Sequence, residues 1–86
     1  MNIKVNGKIR HIGEDQEVSG EKGDHQFKIV IIETLDNSYL AIHAWDDSID
    51  KAKGYKVGQI VELDCRLESH RNKKKRELWY HKLLLK

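Results

Sequence analysis

The sequence contains no proline, a single cysteine, few aromatic residues and no long apolar run. Each shortage excludes something. Without proline there is no stiff proline-rich linker to separate domains. A lone cysteine, Cys65, can form neither an internal disulfide nor a cysteine-cluster metal site. No stretch approaches the roughly 20 apolar residues of a membrane-spanning helix. Lys4, Asn6, Lys8 and Arg10 interrupt the apolar positions that an N-terminal signal peptide would keep continuous. The expectation is a soluble, cytoplasmic protein. Its 86 residues suit one domain, 1–86, small enough to be marginal in the surface it buries.

Charge is present but unevenly placed. Residues 1–69 carry nine Lys/Arg and thirteen Asp/Glu, a balance of −4. Residues 70–86 carry seven Lys/Arg and one Glu, a balance of +6. The overall +2 therefore hides a basic C-terminal segment suited to a polyanion and a body that is not.

Alternation of apolar and polar residues predicts an all-β chain. Ile3 to Arg10 reads as a first strand, with Ile3, Val5 and Ile9 on one parity. Gly7 shares that parity and marks a bulge or a sharp coil. Residues 13–25, with three glycines and five acidic residues, read as a mobile loop or hairpin connection. A second strand, Gln26 to Thr34, is apolar on both parities. Phe27 shares its parity with Ile29 and Ile31 and is assigned to the core. After a turn at Asp36-Asn37-Ser38, a third strand runs from Tyr39 to Trp45. Asp46-Asp47-Ser48 offers helix N-caps, Ile49 and Ala52 one apolar stripe, and Gly54 a stop. A fourth strand, Ile60 to Ser69, points Val61, Leu63, Cys65 and Leu67 inward. A loop, His70 to Arg76, precedes a fifth strand, Glu77 to Leu85. The order β-β-β-α-β-β predicts a five-stranded OB-fold barrel with a short helix between its third and fourth strands. An SH3-like barrel would lack that helix.

Several segments resemble bacterial single-stranded-DNA-binding proteins of the OB fold. Ile42-His43-Ala44-Trp45-Asp46-Asp47-Ser48-Ile49-Asp50 is similar to the end of their third strand and the start of their helix. Val57-Gly58-Gln59-Ile60-Val61-Glu62-Leu63 looks like their entry to the fourth strand. Leu67-Glu68-Ser69-His70-Arg71 and Glu77-Leu78-Trp79-Tyr80 resemble their last hairpin. The likeness is closest to a family of short, uncharacterised bacterial OB proteins, in whose helix-entry element glycine often stands where this chain has Asp46. The resemblance implies that Trp45, and with it Tyr39, stacks on DNA bases. It also implies partners among replication or repair proteins. In well-studied members these are recruited by a glycine-rich acidic tail, whereas residues 70–86 here are basic.

The candidate binding residues fall in two groups. His70-Arg71-Asn72-Lys73-Lys74-Lys75-Arg76 holds five permanent positive charges, suited to phosphates. Tyr39, His43 and Trp45 share one face of the third strand, where aromatic rings stack on unpaired bases. Trp45 either does this or packs in the barrel or a dimer contact. Trp79 and Tyr80 have opposite parity, so at most one faces the groove and the other is assigned to the core. The nucleic-acid-binding set is thus Tyr39, His43, Trp45, Arg71, Lys73, Lys74, Lys75, Arg76 and Trp79. His11, His25, His43, His70 and His81 lack ligand spacing, so neither a metal site nor a cofactor is expected. No phosphate-loop or nucleophile motif is present, and a nuclease site would need carboxylates and an arginine converging on one place.

The expected function is non-catalytic binding of single-stranded nucleic acid, DNA before RNA. The alternative is a protein-interaction or assembly module, motivated by the acidic first loop. A homo-oligomer is expected, with a dimer through the first or last strand by analogy.

Overall fold

The computed structural model describes residues 1–21 and 23–86. It is an all-β chain with one short helix. Six strands follow as β1 (Asn2–Ile12), β2 (Gln16–Gly20), β3 (Gly23–Glu33), β4 (Tyr39–Trp45), β5 (Ile60–Arg71) and β6 (Trp79–Leu85), with α1 (Asp47–Lys53) between β4 and β5. They form one sheet in the order β1-β5-β6-β4-β3-β2, and an additional β1–β3 pairing joins five of them into a ring. Every contact in the ring is antiparallel except β4–β6, which is parallel. This arrangement is compatible with an OB-like fold.

The sixth strand corrects the expectation of five. Residues 13–25 are not only a connection. Gln16–Gly20 pairs antiparallel with Gly23–Phe27, so the acidic segment is a β-hairpin that lengthens β3 beyond the ring. All of β2 is exposed, so no apolar periodicity marks it. Lys22 lies outside the described residues. The last hairpin is shifted too: β5 continues to Arg71, and β6 begins at Trp79 rather than Glu77.

β1 is the strand that closes the ring. Asn2–Lys8 pairs with β5, and Lys8–Ile12 pairs with β3, with a register shift between Ile9 and His11. The change of partner falls next to Gly7. A Cβ placed there would meet the Glu33 carbonyl oxygen and the Ile32 side chain well inside van der Waals contact. Glycine at position 7 is therefore required by the close approach of β3, and the strand's register shift falls further on, between Ile9 and His11.

The ring is filled by side chains of one parity from each strand. Val5 and Ile9 meet Val30 and Ile32, Ile42 and Ala44, Leu63 and Cys65, and Leu83 and Leu85, while Ile49 and Ala52 of α1 cover one end. Cys65 is fully buried, and burial, aided by Asp64, pushes its thiol up to about 11. It acts as a small hydrophobe. α1 is fixed from outside its own turn, because the Ser48 hydroxyl donates to the Leu85 carbonyl at 2.8 Å. Among the described residues no helix is long and apolar enough to cross a membrane.

Candidate nucleic-acid interface

Parity places a second set of side chains on the outer face of the same strands. β3 and β4 pair Phe27 with Trp45, Ile29 with His43 and Ile31 with Ala41. Since Val30, Ile32, Ile42 and Ala44 point inward, all of these point outward. Phe27 is thus not a core residue. Its ring stacks on Trp45 with centroids 4.8 Å apart and planes inclined by 30°, and lies 6.2 Å from His43. The parity was hidden because the inner position nearest Phe27 is Lys28. That side chain is largely covered and pairs with Asp15 at 3.1 Å across the end of the ring. Cross-strand aromatic pairs contribute about 0.5–1.5 kcal/mol beyond their area. Phe27 and Trp45 are both half-buried and form a shelf with free edges at the surface.

His43 sits behind that shelf. Its Nδ1 is buried, with no hydrogen-bond partner among the described residues. Burial holds its pKa below the ordinary imidazole value, the nearby Lys82 ammonium adds to the effect, and the Leu83 backbone opposes it in part. The folded state therefore binds this proton less readily than the unfolded chain does. Stability is complete above the ordinary value of about 6.5 and falls as pH drops below it. Urea unfolding across pH 7.5 to 5 should show this decline, with a shallower slope for His43→Phe. Asp36 and Asp46, whose carboxyls are held below the carboxylate range by hydrogen bonds, lose their share only at lower pH.

A groove of about 550 Å³ crosses the outer face from this shelf. His25, Trp45 and Asp46 form one wall; Arg66, Glu68 and His70 form the other; Lys82 and Leu84 lie between them. Asp46 fixes the first wall. Its backbone N–H donates to the Gln26 carbonyl at 2.9 Å. Its carboxylate accepts from the Gln26 N–H at 3.1 Å and faces His25 Nδ1 at 3.0 Å. These contacts, that from Gln26 foremost, lower its pKa. They also replace the expected helix cap, because Asp46 makes no side-chain hydrogen bond to α1. With φ at 44°, Asp46 occupies backbone space that favours glycine. On the far wall, Glu68 holds Arg66 at 2.9 Å, and its carboxylate lies 3.5 Å from His70 Nε2. Carboxylates and an arginine do line one groove, each already engaged with a neighbour. Among the described residues no group of three or more His, Cys, Asp or Glu side chains could hold a metal ion.

The basic segment forms the tip of the β5–β6 hairpin. Asn72 organises it: its side-chain oxygen accepts from the Lys74 and Lys75 N–H groups at 2.9 and 3.0 Å, and its N–H donates to Leu78 at 2.8 Å. Arg71 turns back to donate to the Arg76 carbonyl and lies 5.7 Å from the Trp79 ring centre. Lys73, Lys74, Lys75 and Arg76 are exposed, and among the described residues no ion pair engages them.

The predicted residues are therefore brought together only in part. His43 and Trp45 meet at the shelf. Tyr39 is exposed at the opposite end of β4, where its hydroxyl donates to Glu33 at 3.4 Å. Neither Trp79 nor Tyr80 enters the core; both are exposed. Tyr80, not Trp79, shares the groove-side parity of Lys82 and Leu84, and stacks on His70 at 5.4 Å. Phe27, Arg66, Tyr80 and Lys82 were absent from the sequence-derived set. Parity counted back from the buried Leu83 and Leu85 would have placed the last two.

An all-β ring with a grooved outer face and a basic hairpin is the class of structure these features define. Residues 4–85 match the family described as a domain of unknown function, DUF3127, and the chain belongs to that family. No curated protein and no solved structure matches it.

Proposed function

We propose that the chain is a non-catalytic OB-fold module that binds single-stranded nucleic acid, DNA by preference, within the cytoplasm. The observation that carries this reading is the Phe27–Trp45 shelf opening into the groove, with four exposed cations on the adjoining hairpin. Unpaired bases offer π-faces to the shelf, and each stack contributes about 1–3 kcal/mol. Lys82 within the groove and Lys73, Lys74, Lys75 and Arg76 beyond it attract the phosphates. Labelled oligo-dT should gain anisotropy when the protein is added at low salt and lose it as salt rises. A flat trace at the lowest salt would sink the reading.

A second reading, a docking module for proteins or a second copy, is favoured by the β2–β3 hairpin. Its acidic residues repel a polyanion beside one wall of the groove, and among the described residues β2 pairs with β3 alone. Capture of one defined protein, unchanged by nuclease treatment, would support it.

A further inference from the structure

The groove leaves part of the last hairpin unused. β1 pairs with β5 only as far as Arg66, and β4 pairs with β6 only at Leu83 and Leu84. Among the described residues the four pairs Glu68–Lys82, Ser69–His81, His70–Tyr80 and Arg71–Trp79 therefore have no further strand paired beside them. They form a two-stranded ribbon that extends the ring, ending in the tip held by Asn72.

Both faces of this ribbon carry an aromatic ring beside a cation. Opposed residues of an antiparallel pair share a face. The groove side presents Tyr80, stacked on His70, with the Lys82 ammonium 5.9 Å from its ring centre. The other side presents Trp79, 59% exposed, with the Arg71 guanidinium beside it. A strand lying in the groove reaches the first side and not the second. Residues 68–82 hold six Lys/Arg against two Glu, so both sides suit phosphates. A two-stranded β-ribbon is also a shape that the major groove of DNA, about 12 Å wide, admits.

We infer that the β5–β6 ribbon enters the groove of a duplex next to the single strand on the ring, so that the preferred ligand is a single-strand–duplex junction. This rests on the single-strand reading above. The shelf lies on β3 and β4 and the ribbon on β5 and β6 of the same chain, so a tailed duplex held at one engages the other without a further bimolecular step.

Anisotropy with four labelled DNAs tests it: a short oligo-dT, a blunt duplex, the duplex carrying that oligo-dT as a tail, and a long oligo-dT matching the tailed duplex in nucleotides. The tailed duplex should bind at least about tenfold more tightly than each of the other three. Trp79→Ala with Arg71→Ala should bring the ratio of tailed duplex to short oligo-dT close to one, with far-UV circular dichroism unchanged. Equal affinity for the tailed duplex and the short oligo-dT would overturn the junction and leave single-strand binding standing. Equal affinity for the tailed duplex and the long oligo-dT would overturn it in favour of a strand wrapped round the ribbon. Binding of the blunt duplex as tightly as the tailed one, with none of either oligo-dT, would overturn both readings.

Discussion

Replacing Gly7 with alanine is expected to lower the unfolding free energy by about 3 kcal/mol or more, a large part of what a domain of this size has. The added Cβ would lie 2.6 Å from Ile32 Cγ2 and closer still to the Glu33 carbonyl oxygen. A flexible side-chain neighbour could swing away. Here the nearest atom belongs to the β3 backbone, at the point where β1 leaves β5 to close the ring on β3. Relief therefore requires separating two strands, which breaks the Lys8–Glu33 and Ile9–Ile32 pairing and loosens Ile9 and Ile32, two fully buried core residues. Urea unfolding reads the effect as a fall in midpoint at constant slope. A change within about 0.5 kcal/mol, the range of ordinary surface substitutions, would mean that β1 does not pass β3 this closely.

Reversing three charges, Lys73→Glu, Lys74→Glu and Lys75→Glu together, should weaken oligo-dT binding about 100-fold or more at low salt while leaving the fold intact. The tip is shaped by backbone groups bonded to Asn72 and by the Leu78 N–H donating to the Lys75 carbonyl, none of which needs a lysine side chain. The lysine ammonium groups have no internal anion to lose among the described residues. Each phosphate contact on a single strand contributes about 0.7 to the slope of log affinity against log salt, so removing three should flatten that slope by about 2. An unchanged slope would place the phosphates elsewhere on the molecule.

The parts of this structure that were legible in the sequence are those where one face is buried and the other is wet. The inward face of β5 is legible because Leu63 and Cys65 alternate with Glu62 and Asp64, although the strand runs on past Ser69 to Arg71, and β4 has the expected ends. The helix is where Ile49 and Ala52 require it. β2 was not legible because it buries nothing: it is held by backbone pairing and a turn, which leave no hydrophobic period. Phe27 was misplaced for the opposite reason. β3 has apolar residues on both sides, Val30 and Ile32 for the core and Phe27, Ile29 and Ile31 for the outer face, so parity within that strand decides nothing. Its pairing with β4 decides, and pairing is a long-range property. The same holds for Asp46. Its carboxylate reads as a cap from its neighbours in sequence, yet it bonds to Gln26, twenty residues earlier. Opposite parity sends one of Trp79 and Tyr80 to the core in the sequence reading, but the ribbon runs past the core, where parity still sets the face and no longer sets burial.

A base stacked on the Phe27–Trp45 shelf would lie against the Trp45 indole. The emission of Trp45 reports on it most directly, read in a Trp79→Phe variant so that one indole remains. Addition of oligo-dT at low salt should quench that emission, and raising the salt should restore it as the strand leaves. Emission that stays unchanged with oligo-dT in saturating excess would mean that bases do not stack on the shelf.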